Sequence, residues 1–229
     1  MPADPSGGTV EAVARPPVVF PDPSRAPADG PLALGGDLAV PTLLSAYRQG
    51  IFPWPLDADL LSWWCPDPRA VLPLDGLHVS RTLARTLRRG ALSTTTDRDF
   101  AGVLEGCADR AVTWITPWLA HAYRRLHAAG HAHSVEVRDE RGALVGGLYG
   151  VAVGAAFSAE SMFHRVSDAS KVALVGLVER LREGGFTLLD VQLPTDHLTS
   201  LGAVALPRRV FLARLAEARE RPATWPGAS

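Results

Sequence analysis

Apolar positions along this chain follow two spacings, which divide it into helices and strands. Spacings of three and four residues are typical of helices with one buried face, whereas alternation or a continuous apolar run indicates strands. Ser80, Asp97 and Thr116 are suitable N-caps for three of the helices. Because helices come first, then consecutive strands, then a helix and a strand, the order is that of an α+β protein. The helices are predicted at 40–50, 78–90, 97–107, 116–130, 168–183, 195–201 and 207–220, and the strands at 133–138, 143–149, 151–158 and 186–193.

Segments rich in proline, glycine and tryptophan separate these elements. Tryptophan and proline are dense at 51–55 and 62–69, which predicts packed, rigid loops without regular structure. Glycines within 146–154 interrupt the apolar pattern and indicate bulges or a close approach of the backbone. The ends of the chain, 1–18 and 221–229, have no apolar period and are predicted to be flexible tails.

Composition is that of an ordinary globular protein. Of 229 residues, 47% are hydrophobic and 21% are charged, and the formal net charge is −1. Contact with nucleic acid must therefore come from a local basic patch. No apolar run approaches the ~18 residues of a membrane span, and no signal-peptide pattern opens the chain, so a cytoplasmic protein is expected. Cys65 and Cys107 are expected to be buried free thiols.

The predicted helix at 78–90 has an unusual distribution of charge. At about 100° per residue its arginines fall within one narrow arc, and Leu83, Ala84 and Leu87 lie roughly opposite. No acidic residue within the helix relieves the repulsion among the arginines. This arginine stripe is either a solvated surface or a binding site for a polyanion, and the sequence leaves both interpretations open. The stripe consists of Arg81, Arg85, Arg88 and Arg89.

Two carboxylates lie in apolar surroundings, Glu160 in FSAESMF and Asp190 in LLDVQL. A carboxylate inside an apolar strand costs several kcal/mol unless it is paired or hydrogen-bonded. Each could be a structural buried acid, but the presence of two favours a site. Gln192 follows Asp190 by two residues and is predicted to share its strand face. A carboxylate and an amide together could orient an amine and a carbonyl.

Common catalytic signatures are absent from the sequence. The chain has no GxxxxGK[ST] phosphate loop, no GxSxG nucleophile motif and no HExxH metal motif. His131 and His133 are close in sequence but have no evident third ligand, so no metal is expected. A serine–histidine hydrolase site lacks any supporting motif. Trp54 and Trp114 are either core residues or stacking faces for a nucleobase.

Ordered blocks of sequence carry a more specific signal. They are LALGGDL (32–38), LLSAYRQGIFPW (43–54), WWCPDPRAVL (63–72), HVSR (78–81), EGCADR (105–110), TWIT (113–116), AYRRLHAAGHAHSVEV (122–137), LVGGLYGVAVG (144–154), ESMFHRVSDASK (160–171), LLDVQLPTDHLTSLGA (188–203) and PRR (207–209). In this order the blocks closely resemble the leucyl/phenylalanyl-tRNA–protein transferase family, over roughly residues 20–215.

The resemblance implies a small N-terminal domain at 19–67 and a GNAT-like acyltransferase domain at 68–220, with a mainly antiparallel central sheet. It implies transfer of Leu or Phe, and less readily Met, from aminoacyl-tRNA to acceptor proteins that begin with Arg or Lys. Acceptors modified in this way enter N-degron proteolysis. The implied partners are a charged tRNA and an acceptor protein. No cofactor, metal or membrane is implied, and a monomer is expected.

Site residues are carried over from the family onto the matching positions of this sequence. Leu148 departs from the Met that is frequent in the family's GGMYG, which leaves the ranking of Leu, Phe and Met open. The catalytic centre is assigned to Glu160, Asp190 and Gln192, the donor side-chain pocket to Phe157, Met162, Leu148 and Phe186, and tRNA binding to Trp54, Trp114, Arg81, Arg85, Arg88 and Arg89.

The chemistry implied by the family needs only modest catalysis. The donor is an activated ester, and the acceptor α-amine has a reference pKa near 8, so part of it is neutral at pH 7. Asp190 is expected to orient and deprotonate the amine, with Gln192 holding its carboxylate. Glu160 is expected to hold the cationic acceptor or the ribose.

Two alternatives stay open. Another GNAT-like acyltransferase that uses acetyl-CoA would need a Q/RxxGxG/A loop between a strand and a helix, and the sequence has none. A non-catalytic tRNA-binding module would make Glu160 and Asp190 structural residues.

Overall fold

The computed structural model describes residues 18–57 and 59–227, so the predicted N-terminal tail lies outside the described residues except for Val18. Within this part the chain forms a three-stranded and a seven-stranded sheet with helices on both faces of the larger sheet. The α+β class and the mainly antiparallel sheet are confirmed. Among the described residues, no helix has the length and apolar character needed to cross a bilayer.

The elements are numbered in chain order. The strands are β1 (Pro31–Leu34), β2 (Phe52–Pro53), β3 (Ser62–Trp64), β4 (Arg69–Val71), β5 (Leu92–Thr96), β6 (Ala132–Asp139), β7 (Leu144–Val153), β8 (Ala156–His164), β9 (Leu188–Gln192) and β10 (Val204–Leu206), and the helices are α1 (Val40–Arg48), α2 (Arg81–Arg89), α3 (Phe100–Ala108), α4 (Pro117–Ala128), α5 (Ala169–Glu183), α6 (Asp196–Ser200) and α7 (Arg208–Ala218).

The small sheet has the order β1-β3-β2 and is antiparallel. The prediction that the tryptophan- and proline-rich segments have no regular structure was therefore wrong, because they contribute β2, β3 and β4. Indole N–H groups fix these short strands: Trp63 Nε1 donates to the carbonyl of Gly35 at 2.8 Å, and Trp64 Nε1 donates to Ser62 Oγ at 2.7 Å.

The large sheet has the order β10-β4-β9-β8-β7-β6-β5, in which only the β8–β9 pair is parallel among the described strands. Helix α5 connects β8 to β9, as a parallel pair requires. Side chains of β7 alternate between two cores: Tyr149 and Val151 pack with α3 and α4, whereas Leu148 packs with α5. The connection from β8 through α5 to β9 brings the strands that carry Glu160 and Asp190 side by side.

Glycines shape β7 and β8, which are longer than predicted. The turn between them lies at Gly154, with φ 56°, and not near residue 150, where the pattern had suggested it. At Gly150 the strand instead carries a register irregularity beside Tyr149. A Cβ on Gly146 would lie 2.6 Å from the Cβ of Ala169, so this glycine lets α5 pack closely on the sheet. The predicted bulge and close approach are confirmed.

The N-cap predicted for α3, Asp97, was wrong by two residues. Asp99 caps α3 by accepting from the amide of Gly102 at 2.9 Å. Asp97 instead accepts from the amide of Ser134 at 2.8 Å and pairs with His133 at 2.7 Å. The preceding strand β5 was not predicted, because its LSTTT sequence has almost no apolar residues.

The C-terminal segment is packed where a loose tail was predicted. Trp225 is only 6% exposed and stacks on the rings of Phe157 and His133. A single large aromatic residue anchors the segment, and one residue leaves no periodic pattern in the sequence. Cys65 and Cys107 are free and buried, as predicted.

Candidate active site

A cleft of about 870 Å³ opens where β8 and β9 separate. The parallel pairing of the two strands extends as far as Ser158 and Asp190. Beyond these residues both strands line the cleft. Gln192 ends β9 with φ 57°, a left-handed conformation that is uncommon for a residue with a side chain. Such strained backbone is often found at functional sites, where surrounding contacts hold it in place.

Glu160 lines the cleft and is partly buried. Its Oε2 accepts from the hydroxyl of Tyr123 at 2.9 Å, and its Oε1 accepts from Gln192 Nε2 at 3.0 Å. Withdrawal from water raises the pKa of Glu160 to about 7, although the hydroxyl groups of Tyr123 and Tyr47 act in the opposite direction. A carboxyl group with this pKa can both accept and release a proton near neutral pH.

Asp190 is 2% exposed and lies behind the cleft lining. Arg69 on β4 binds it with two hydrogen bonds, from Nε to Oδ1 at 2.8 Å and from Nη2 to Oδ2 at 2.7 Å. Phe52 and Phe211 flank the guanidinium, with ring centroids 4.7 and 4.5 Å away. This buried ion pair holds the carboxylate in a fixed orientation.

Gln192 connects the two acids. Its amide N donates to Asp190 Oδ1 at 3.0 Å, which stabilises the left-handed backbone, and its side chain donates to Glu160. Ser158 Oγ also donates to Asp190, at 3.1 Å. The structure therefore brings Glu160, Asp190 and Gln192 into one hydrogen-bonded network.

Two tryptophans line the cleft at its entrance from the small sheet. Trp54 and Trp114 stack with ring centroids 5.3 Å apart and an interplanar angle of 13°. Both are partly exposed. A stacked, partly exposed pair offers an aromatic surface on which a planar ring can bind.

Part of the cleft wall is apolar. Leu148 and Met162 face each other across β7 and β8, and Leu174 of α5 completes the wall. Phe157 and Phe186 lie in the core behind it, where both rings contact Trp225. Of the four predicted pocket residues, two therefore line the cleft and two support it from behind.

Helix α2 borders the cleft through Thr86, whose hydroxyl donates to Asp168 at 3.2 Å. Ser80 caps the helix and Gly90 ends it in a left-handed conformation, so it begins three residues later than predicted. The four arginines of the stripe are exposed, and none pairs with a carboxylate of the described residues. Leu83 is buried, but Leu87 is 36% exposed and not packed as predicted.

Sequence reasoning missed several residues that shape this site. Arg69 lies in a segment that was interpreted as a loop, and its partner Asp190 is 121 positions away. Tyr47 and Tyr123 lie on apolar helix faces, where a tyrosine normally indicates core packing. The available signal was an arginine that precedes the apolar residues AVL and an aspartate within LLDVQL, since each is rarely buried without a partner.

Comparison with known proteins identifies the class. The profile of the leucyl/phenylalanyl-tRNA protein transferase family matches residues 71–216, and that of its N-terminal domain matches residues 36–67. Proteins named leucyl/phenylalanyl-tRNA–protein transferase include one from Solidesulfovibrio magneticus, 53% identical over 208 residues and covering 88% of this chain and 83% of the relative. Another, from Anaeromyxobacter sp. strain K, is 54% identical over 209 residues and covers 89% of each chain.

Among solved structures, L-PGS from Bacillus licheniformis aligns with a TM-score of 0.42 and 13% identity, covering 65% of this chain and 48% of that chain. This likeness is too low to support an inference. The family and relatives together show that the protein is an aminoacyltransferase. It belongs to the leucyl/phenylalanyl-tRNA protein transferase family.

Proposed function

We propose that the chain transfers Leu or Phe, and less readily Met, from aminoacyl-tRNA to acceptor proteins that begin with Arg or Lys. Acceptors labelled in this way are expected to enter N-degron proteolysis, and a reaction that uses charged tRNA is expected in the cytoplasm. The observation that carries the proposal is the Glu160–Gln192–Asp190 network at a cleft that also has an aromatic surface and an apolar wall. The names of the relatives supply a leucyl- or phenylalanyl-tRNA donor and a protein acceptor, whereas Met as a donor and an N-terminal Arg or Lys come from the family resemblance.

The cleft has a surface for each part of the donor. The apolar side chain of the donor would pack against Leu148 and Met162, and the terminal adenosine would stack on Trp54 or Trp114. The acceptor stem would lie along the arginine stripe of α2, which borders the cleft at Asp168.

The reaction forms one bond and breaks one bond. The acceptor α-amine attacks the ester carbonyl carbon, a C–N bond forms, and the bond from that carbon to the ribose oxygen breaks. One proton leaves the amine and one is added to the ribose oxygen. We assign to Glu160 the acceptance of the proton that leaves the amine, because this side chain lines the cleft and has a pKa of about 7. The assignment differs from the sequence-based hypothesis, in which Asp190 deprotonates the amine.

Asp190 is assigned a positioning role. Its carboxylate already accepts two hydrogen bonds from Arg69, one from Ser158 and one from the amide of Gln192. Few lone pairs remain for a substrate amine. Asp190 would act through Gln192, because it holds the backbone that aims the Gln192 side chain at Glu160.

The preference for a cationic acceptor has support in the acidic groups of the cleft. Asp168 pairs with Lys171 at 2.9 Å, so its charge is largely compensated. Asp109 is exposed on the cleft lining, and Glu160 lies deeper. Arg110 and Arg165 also line the cleft, so the attraction of an acceptor that carries both an α-ammonium and a basic side chain would have to be local to these two carboxylates.

Radiolabelled transfer tests the function. Leu-, Phe- and Met-tRNA are each incubated with a protein that begins with Arg, with the same protein beginning with Ala, and with the N-acetylated Arg form. Label is expected only on the free Arg acceptor, fastest with Leu or Phe. Tight tRNA binding without any transfer would support the non-catalytic alternative, and acetyl-CoA-dependent labelling would support the other acyltransferase.

Variants in the same assay separate the two carboxylates. Glu160→Gln is expected to lower kcat by about 100-fold, the lower end of the contribution of general acid–base catalysis. Asp190→Asn leaves the buried Arg69 without its ionic partner and should lower stability. Per folded molecule it is expected to cost less in kcat than Glu160→Gln, because Asn can still accept from the amide N of Gln192. The matched control is Glu140→Gln on the exposed turn between β6 and β7, which should retain full activity. Full activity of Glu160→Gln together with a large loss in Asp190→Asn would contradict the role of Glu160 and support Asp190 as the group that accepts the amine proton.

A further inference from the structure

A chain of buried phenols leads from the N-terminal part of the protein to the active-site carboxylate. The hydroxyls of Tyr47 and Tyr123 lie 2.9 Å apart, and the Tyr123 hydroxyl lies 2.9 Å from Glu160 Oε2. Tyr47 is 3% exposed and Tyr123 is fully buried. Tyr47 belongs to α1, within the segment matched by the N-terminal domain profile, whereas Tyr123 belongs to α4. The chain therefore joins two parts of the fold that are distant in sequence.

The direction of these hydrogen bonds follows from the charge of the acid. An ionised carboxylate can only accept, so Tyr123 must donate its single proton to Glu160. The Tyr123 oxygen is then free to accept, and Tyr47 donates to it. Each donation polarises the next, so the second tyrosine strengthens the bond that the first one makes. Burial raises the pKa of both phenols well above the usual value, so they remain donors at any working pH.

We propose that Tyr123, supported by Tyr47, is a positioning residue that holds the Glu160 carboxylate in its reactive orientation and stabilises its ionised form. This inference rests on the role of Glu160 in the proposed function. Gln192 fixes the other carboxylate oxygen from β9, so the acid is held from both sides and neither oxygen can rotate away. Without the phenols, burial alone would favour the protonated acid, which cannot accept the proton of the amine.

Other charged and titratable groups face Glu160 from neighbouring elements, and they must be distinguished from the two phenols. Arg69 favours the ionised form, whereas Asp190 favours the protonated form. Tyr149 of β7 is the third buried phenol of the cluster, with its ring centroid 5.1 Å from that of Tyr123. Its hydroxyl makes no hydrogen bond to the described residues. Tyr149→Phe is therefore a matched control, because it removes the same atom from the same aromatic cluster without removing a donor to the acid.

The experiment compares Tyr123→Phe, Tyr47→Phe and Tyr149→Phe in the full chain. The Glu160 carboxyl is titrated directly by ¹³C NMR of protein labelled at the glutamate side-chain carboxyl, without tRNA, with Glu160→Gln identifying the resonance. In parallel, kcat/KM for transfer is measured against pH with one acceptor. The pKa of the acceptor amine is then common to all profiles and cancels in the comparison.

Tyr123→Phe is expected to move the Glu160 titration, and the rising limb of kcat/KM, up by about one pH unit, since a hydrogen bond to a charged group is worth roughly that much. Activity should recover at high pH, which a merely structural defect would not allow. Tyr47→Phe is expected to give a smaller shift in the same direction, and Tyr149→Phe none.

Each outcome has a defined meaning. An unchanged Glu160 titration in Tyr123→Phe overturns the inference, as does a shift of equal size in Tyr149→Phe. A moved NMR titration with an unmoved rate profile supports the positioning of the acid by tyrosine but contradicts the proton role of Glu160. A loss of activity that is equal at every pH, together with an unmoved titration, shows a packing role only and also overturns the inference.

Discussion

At the scale of single residues, two acids that look alike in sequence occupy different environments. Asp190 is 2% exposed and held by Arg69, whereas Glu160 reaches the cleft and accepts from an amide and a phenol. Paired charges and desolvation have opposite effects on a carboxyl group. One acid is therefore held in a buried ion pair, and the other has a pKa close to neutral.

The raised pKa of Glu160 predicts a pH-dependent cost in stability. The folded-state pKa of about 7 exceeds the reference value of 4.5, so the stability that Glu160 contributes is complete below about pH 4.5 and is lost as the pH rises through 7. Glu160→Gln removes this dependence. Relative to wild type, the variant should gain up to roughly 3 kcal/mol in free energy of unfolding between about pH 5 and pH 8.

Urea unfolding of both proteins at the two pH values measures this difference. Glu140→Gln is the control, since an exposed carboxyl should give no pH-dependent difference from wild type. If the gap between Glu160→Gln and wild type stayed constant across this range, the carboxyl would have an ordinary pKa in the folded protein.

At the scale of elements, α2 is a helix whose caps and exposed arginines the sequence predicted correctly. Its caps, Ser80 and Gly90, and the exposure of its arginines follow from local spacing, and the structure confirms them. A local pattern is sufficient because the arginines need only share one helix face. That they bind tRNA stays a prediction.

Replacement of all four stripe arginines by Gln should weaken tRNA binding and reduce its dependence on salt. Each phosphate contact that is lost lowers the slope of log K against log salt by about one. Filter binding at several salt concentrations measures both quantities. The control carries the same charge change at exposed positions elsewhere, Arg141→Gln, Arg182→Gln, Arg214→Gln and Arg221→Gln. Equal losses in the two variants would show that net charge, and not the stripe, attracts the tRNA.

At the scale of the whole molecule, hydrogen bonds from Arg208 connect the C-terminal helix α7 to the N-terminal segment. Arg208, the first residue of α7, is 8% exposed. Its guanidinium donates to the carbonyls of Ala26 and Cys65 at 2.6 Å and of Pro27 at 3.0 Å. Its amide donates to Asp67 at 3.0 Å. These bonds satisfy carbonyls of irregular segments that lack partners in a sheet.

Arg208→Met should therefore destabilise the protein by about 3 kcal/mol or more, because several buried carbonyls lose their donor at once. Arg209→Met, one position along and exposed, is the matched control and should change stability by less than about 0.5 kcal/mol. Urea unfolding compares the two. Similar stabilities of both variants would mean that the carbonyls find other donors.

The sequence by itself determined the features that depend on near neighbours along the chain. Helix periods and most caps, the strands that lead into the cleft, the exposed arginine stripe and the family all follow from local residue patterns and ordered blocks. Prediction from local patterns failed where a single residue decides the structure. Asp99 caps α3 in place of Asp97, and Trp225 packs a segment whose apolar residues have no period.

Only the tertiary structure decided how the acids differ. Arg69 and Asp190 are 121 positions apart, and Tyr47 and Tyr123 are 76 apart. Such pairs form only when strand order and register bring distant segments together, and no local period records them. The strand pattern predicted that Asp190 and Gln192 share a strand face, and in the structure the two residues belong to one hydrogen-bonded network. The register of β4 against β9 then brought Asp190 beside the buried guanidinium of Arg69. The pairing of β8 with β9 ends at Ser158 and Asp190, which leaves Glu160 at the cleft.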